Sequence, residues 1–172
     1  MTIQVGDKLP AGTLKEFIEI ETEGCSLGPN NVDVAAGTAG KTIAVFALPG
    51  AFTPTCSAKH VPGYVAQHDA LRTAGVDEIW CLSVNDAFVM GAWARDQKTA
   101  GKVRMLGDGS ATFTQAVGLP LDLTANGMGM RSQRYSMLVV DGVVKTLNVD
   151  APGKFEMSNA ETMLGQAQAL RN

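Results

Sequence analysis

One stretch of this 172-residue chain concentrates residue types able to do chemistry: PGAFTPTCSAKHVPGY, Pro49 to Tyr64. Thr53 is a natural helix N-cap, and Pro54 suits the first helical position, where its missing N–H needs no partner. That spacing puts Cys56 in the first helical turn. Unpaired backbone N–H groups and the positive end of the helix dipole favour an anion there, so a thiolate is expected to be stabilised. The thiolate is the nucleophilic form of cysteine, which makes Cys56 the candidate nucleophile. An isolated cysteine is more often a small buried hydrophobe. The Thr-Pro-x-Cys helix start sets this one apart.

His60 follows Cys56 by four residues and so shares its helix face. That placement suits a Cys/His pair or half of a metal site. With His68 as the only other histidine and no second ligand cluster, we expect no metal and read His60 as a structural, hydrogen-bonding residue beside the site. The three cysteines, Cys25, Cys56 and Cys81, are an odd count without a CxxC pair. This speaks against a disulfide scaffold or a paired-cysteine zinc site and implies a reducing, cytoplasmic setting. Trp80, Trp93 and the eight methionines read as core or interface filler.

The elements that must position Cys56 are legible around it. Thr42 to Leu48 is a short apolar run stopped by Pro49-Gly50, the pattern of a buried strand and a turn. A helix is expected from about Pro54 to Ala74, kinked at Pro62 and stopped by Gly75. Glu78 to Val84 reads as a second buried strand, followed by a helix from Asp86 to Ala100 closed by Gly101. Alternating strands and helices imply crossover units and a largely parallel central sheet. In such sheets ligands gather where a strand's carboxyl end meets a helix, which is where the Cys56 loop falls. Later, Tyr135 to Val140 and Val143 to Val149 flank Asp141-Gly142, a hairpin signal. A last helix, Ser158 to about Leu170, carries a capping box of Ser158 and Glu161. Leu14 to Ile20 is expected to add an edge strand.

Composition bounds the rest. No repeat or linker interrupts the chain, so residues 1–172 read as one domain of α/β class. A net charge of −3, with no basic run, supplies no footprint for nucleic acid or an anionic membrane. The start, MTIQVGDKLP, lacks the pattern of a secretory leader, and no apolar run is long enough to cross a bilayer.

PGAFTPTCS followed by HVPGY resembles the peroxiredoxins, specifically their type II branch. The similarity continues through CLSVNDAFVMGAWA (Cys81–Ala94), GKVRMLGDG (Gly101–Gly109) and RSQRYSMLVVDGVVKTLNV (Arg131–Val149), in collinear order over nearly the whole chain. It implies a thioredoxin-like fold, with a central mixed sheet flanked by helices plus hairpin insertions, and a homodimer. It also implies a thiol peroxidase with no cofactor of its own. Cys56 falls on the peroxidatic cysteine, which attacks the terminal peroxide oxygen and becomes a sulfenic acid. Thr53 matches the hydroxyl that bonds both thiolate and peroxide, Pro49 shields the sulfur, and Arg134 matches the distant arginine that returns to it. Arg131 also falls in a family-like position, to support the site or simply to be a solvated charge. The logic is sound chemically: displacement at O–O drives negative charge onto the departing oxygen, and fixed donors aimed there lower the barrier.

The resemblance is less specific about regeneration. Cys81, 25 residues after Cys56, matches a cysteine that can act in resolution in plant type II enzymes, yet its apolar context IWCLSV equally suits an inert buried thiol. Met157, in KFEMSNAETML, stands where the mammalian branch has its resolving cysteine, so that route is absent. Cys25 matches no motif. The expected reductants are therefore external: glutathione with glutaredoxin, or thioredoxin. The alternative from another class is a peroxide sensor or holdase using the same cysteine. A thioredoxin-type reductant is disfavoured because Thr53 stands where a CxxC pair would begin, and a cysteine hydrolase because no Cys/His/Asn set is apparent.

Overall fold

The computed structural model describes residues 1–19 and 27–171, so Cys25 and the Ile20 end of the expected first strand lie outside the described residues. Seven strands form one sheet in the order β2-β1-β5-β4-β3-β8-β9. They are β1 (Thr13–Ile18), β2 (Gly28–Asp33), β3 (Thr42–Leu48), β4 (Glu78–Ser83), β5 (Arg104–Gly107), β8 (Tyr135–Val140) and β9 (Val143–Val149). A separate two-stranded hairpin joins β6 (Pro120–Leu123) to β7 (Gly129–Ser132). Among the described residues the α-helices are α1 (Val34–Thr38), α2 (Val61–Ala66), α3 (His68–Thr73), α4 (Ala87–Gln97), α5 (Thr112–Ala116) and α6 (Ala160–Arg171).

The apolar run of β3 is buried because the strand is central and covered on both faces. Its alternate residues serve two cores. Ala44, Phe46 and Leu48 pack with Cys56, Tyr64, Cys81, Trp93 and Met163, while Ile43, Val45 and Ala47 pack with Trp80, Leu106, Phe113 and Met137. Burying one such aromatic or aliphatic side chain contributes about 1.5–3 kcal/mol.

Several expectations need correction. The sheet is mixed, as the resemblance implied, rather than largely parallel as the alternation of strands and helices suggested. Among the described residues only β3–β4 and β4–β5 pair in parallel, and β1–β2, β1–β5, β3–β8 and β8–β9 are antiparallel. The N-terminal strand is not an edge strand, because β2 pairs outside it. β2 reads GPNNVD, too polar to announce itself, and is held by its register with β1. α4 ends at Gln97, before the expected Ala100, with Lys98 in the left-handed region at φ 55°. The last helix is not capped by Ser158: Asn159 Oδ1 accepts from Thr162 N at 2.8 Å, while the Ser158 hydroxyl is taken by Asp150 at 2.5 Å. The Asp141-Gly142 hairpin is as read, with φ of 47° and 76° suiting a tight turn that matches strand twist.

Candidate active site

β3 and β8 pair with Ala47 opposite Tyr135. The loop Pro49–Thr53 leaves β3 just beyond that point, and Arg134 precedes β8 just before it. Sheet register thus brings together residues 78 apart: Arg134 Nη2 donates to Cys56 Sγ at 3.2 Å.

The chain turns helical at Pro54, and the Thr53 carbonyl accepts from Ser57 N at 2.9 Å. Cys56 to His60 form a π-turn, closed by Val61 N donating to the Cys56 carbonyl, before α2 continues. Pro62, at the start of α2, has no N–H for the preceding turn, and the wider turn takes up the mismatch expected as a kink. Cys56 is buried, 1% exposed. A guanidinium is charged at any useful pH and donates in a rigid plane. Beside this sulfur it can stabilise a thiolate and, with a substrate bound, a departing oxyanion.

His60 is fully buried and packs against Phe46 and Phe155, with centroids 4.8 and 5.0 Å away. Its Nδ1 lies 2.8 Å from Arg134 Nη1, and its Nε2 lies 3.0 Å from the Ser158 carbonyl. A guanidinium can only donate and a carbonyl can only accept, so Nε2 carries the proton and Nδ1 accepts. Burial, reinforced by the Arg134 charge, pulls the His60 pKa down to about 3, and the ring stays neutral. His60 thus hydrogen-bonds both Arg134 and the Ser158 carbonyl.

Thr53 faces the loop. Its hydroxyl donates to the Gly50 carbonyl at 2.7 Å, so the side chain does not provide the N-cap hydrogen bond expected of it. To donate to sulfur or peroxide, as the resemblance implies, the hydroxyl must rotate off that carbonyl. Arg131, on β7, donates through Nη1 to the Pro49 carbonyl at 3.3 Å and through Nε to Met128 O at 2.9 Å. It is a loop anchor rather than a solvated charge. A Cβ on Gly50 would stand 2.8 Å from that same Nη1, so a larger residue there would require the guanidinium to shift.

Sequence reasoning missed Asn85, whose Oδ1 accepts from Ala51 N at 3.0 Å and from Ser83 Oγ at 2.5 Å. Its position just past the carboxyl end of a parallel strand was the available signal. Trp93 was read as filler; its indole N–H also donates to Ser57 Oγ at 3.0 Å, beside Cys56. Phe52, half exposed at 53%, has a φ of 61° in the same loop, unusual for a bulky residue. A cavity of about 200 Å³ opens beside Arg134, lined by Pro49, Thr55, Leu121, Leu123 and Lys154 among others.

Cys81 lies in β4 opposite Phe46 on one side and Met105 on the other. Burial pushes its thiol well above the usual cysteine range; Cys56 adds to the rise and Arg134 opposes it. Among the described residues, no group of three or more His, Cys, Asp or Glu side chains gathers to hold a metal ion.

A buried thiol paired with a guanidinium, at a helix start beyond a central strand, defines a thiol-redox site on a thioredoxin-like sheet. A profile of the Redoxin family matches residues 4–164. Peroxiredoxin-2E, chloroplastic, of Arabidopsis thaliana is 49% identical over 165 residues, covering 95% of this chain and 68% of the relative. The crystal structure of reduced Prx3 in complex with H2O2 from Vibrio vulnificus is 49% identical with a TM-score of 0.88, covering 96% of this chain and 99% of that one. A Burkholderia cenocepacia structure described as a putative thioredoxin reductase is 64% identical with a TM-score of 0.95, covering 96% and 98%. The chain belongs to the Redoxin family and, within it, to the peroxiredoxins.

Proposed function

We propose that this thiol-dependent peroxidase reduces hydrogen peroxide and organic hydroperoxides at Cys56, in the manner of the type II branch. The observation that carries the reading is the Arg134 Nη2 to Cys56 Sγ hydrogen bond of 3.2 Å, made to a sulfur packed into a hydrophobic core cluster. The thiolate attacks the terminal peroxide oxygen, the O–O bond breaks, and the departing alkoxide or hydroxide takes up a proton as alcohol or water. Cys56 is left as a sulfenic acid. An external thiol condenses with it, releasing water, and a second thiol reduces the mixed disulfide. Pro49 shields the sulfur, Thr53 turns its hydroxyl toward the peroxide, and Arg131 and His60 support the loop and Arg134.

The electrons come from glutathione with glutaredoxin, or from thioredoxin, and the chain contributes no cofactor of its own. Cys81 assists at most, since its thiol is fully buried in mid-strand and ionises reluctantly. The absence of a CxxC pair favours a peroxidase over a reductase of disulfides. Among the described residues no helix is long and apolar enough to cross a membrane. With three cysteines and no paired framework, we place the chain in a reducing compartment such as the cytoplasm; a homodimer is what its membership of the peroxiredoxins implies.

Peroxide consumption coupled to NADPH oxidation, with the two donor systems side by side, tests this reading. Multiple turnovers with at least one donor are expected. One stoichiometric oxidation followed by arrest with both donors would instead identify a peroxide sensor.

A further inference from the structure

Arg134 is held from both ends of a chain of polar contacts that leads away from the sulfur. Its Nη1 donates to His60 Nδ1 at 2.8 Å, and that nitrogen is free to accept only because the proton sits on Nε2. Nε2 donates that proton to the Ser158 carbonyl at 3.0 Å, which favours this tautomer together with the Arg134 donor on the other nitrogen. The tautomer of His60, and with it the aim of Arg134, therefore depends on where the Ser158 carbonyl points.

Two groups orient that carbonyl. Tyr64 Oη donates to it at 2.9 Å. Asp150 grips the peptide from the other side: Met157 N donates to Oδ1 at 2.8 Å, and Ser158 N and Oγ donate to Oδ2 at 3.3 and 2.5 Å. Asp150 is 4% exposed, and its own backbone N–H donates to the Arg134 carbonyl at 2.9 Å. Its carboxyl stays below the usual carboxylate range although burial opposes this, because the donors from Ser158, Met157 and Glu156 outweigh it. The segment between them brings Phe155 to both partners, 5.8 Å from the Arg134 guanidinium and 5.0 Å from the His60 ring. A carboxylate that takes three donors from two successive residues clamps the turn more firmly than a neutral acceptor could.

Resting on the peroxidase reading above, we infer that Asp150 is a positioning residue for peroxide reduction: by clamping the Met157–Ser158 turn it fixes the Ser158 carbonyl, selects the Nε2-protonated form of His60, and so aims Arg134 at Cys56. Asp150 bonds neither the sulfur nor the guanidinium through its side chain. Its side chain reaches Arg134 through the Ser158 carbonyl and His60, alongside the Phe155 packing and the Asp150 N–H to Arg134 carbonyl bond. An amide in its place offers one acceptor instead of two and cannot satisfy the Ser158 and Met157 donors together.

The test reads two quantities on Asp150→Asn. One is the second-order rate constant for Cys56 oxidation by hydrogen peroxide, followed by fluorescence of Trp93, whose indole bonds Ser57 next to the sulfur. The other is the ¹⁵N signature of the His60 imidazole, which distinguishes the two tautomers and which a merely structural contribution would leave alone. We expect the rate to fall about tenfold, as misalignment of reacting groups costs, and the Nε2-protonated signature to give way to a mixture. A rate within twofold of wild type overturns the inference, and so does a slow variant whose His60 keeps its tautomer. Should Asp150→Asn not fold, Ser158→Ala is read the same way: it removes one donor of the clamp and leaves both backbone donors, so a smaller shift of the same two quantities is expected and no shift in either overturns it. Cys56→Ser run alongside separates the two levels. If that variant still consumes peroxide the peroxidase reading itself fails, whereas a dead Cys56→Ser beside an unaffected Asp150→Asn sinks the positioning role alone.

Discussion

Cys56 and Cys81 share one hydrophobic core, and both are buried, at 1% and 0% exposure. Their surroundings differ in kind. Cys81 sits in the middle of β4, walled by Phe46 and Met105 on the neighbouring strands, with its backbone engaged in two ladders. Cys56 sits where a helix opens after a strand, with a guanidinium 3.2 Å from its sulfur. Burial raises the Cys81 thiol well above the usual cysteine range, whereas at Cys56 a cation stands in hydrogen-bond contact with the sulfur. The two sites differ in their partner, not in their exposure.

The largest expected contrast is between serine substitutions. Cys56→Ser should remove peroxide turnover altogether, while Cys81→Ser should leave the rate of Cys56 oxidation within about twofold, as expected of a site outside the reacting groups. Steady-state peroxide consumption with each donor, together with single-turnover oxidation, measures both. If Cys81→Ser stops turnover with every donor while Cys56 still oxidises normally, Cys81 is the resolving thiol and the contrast between the two sites narrows.

Removing the cation should make Cys56 behave more like Cys81. Arg134→Met is expected to slow oxidation of Cys56 about 10²–10³-fold, the usual cost of one fixed donor to a developing charge. Stopped-flow rates that stay near wild type would mean that the 3.2 Å contact is not used in the reaction. Thr53→Val comes next, with an expected loss of about tenfold or more from one hydroxyl donor, and little change in thermal stability. Normal oxidation rates in that variant would leave the Thr53 hydroxyl as a loop tie to Gly50 and nothing more.

The smallest effect is on stability rather than rate, and it tests the neutral His60 that supports Arg134. The His60 pKa is about 3 in the folded chain against about 6.5 when exposed. Between those values the unfolded chain binds more protons, so the stability is complete above about pH 6.5 and is lost as pH falls toward 3. The slope from this group reaches at most about 1.4 kcal/mol per pH unit. Urea midpoints at pH 7 and pH 5 should fall further for wild type than for His60→Gln. Equal losses in the two proteins would place the acid sensitivity elsewhere.

Features set by short stretches of chain were open to inspection before any coordinates. The helix opening at Pro54, the strand Thr42–Leu48 and the Asp141-Gly142 hairpin follow from turn chemistry and apolar runs spanning a few residues. The resemblance of Arg131–Val149 to the peroxiredoxins supplied Arg134 as a partner for Cys56, which no local pattern would reveal. Errors came where long-range contacts overrode local signals. Ser158 and Glu161 have the spacing of a capping box, yet the serine hydroxyl is drawn to a buried Asp150 and Asn159 caps the helix instead. β2 is too polar to be recognised as a strand and exists because β1 offers it a register.

A chain written out residue by residue states which side chain is a nucleophile and which turn presents it, because a turn depends on neighbours in sequence. It does not state the proton position on His60, the tie from Arg131 to Pro49, or the grip of Asp150 on Ser158, separated by 98, 82 and 8 residues from their partners where the relevant contacts run His60–Ser158, Arg131–Pro49 and Asp150–Ser158. Those contacts arise when β3, β8 and the segment before α6 meet, and hydrogen-bond directionality between Arg134 and the Ser158 carbonyl then leaves His60 a single proton assignment.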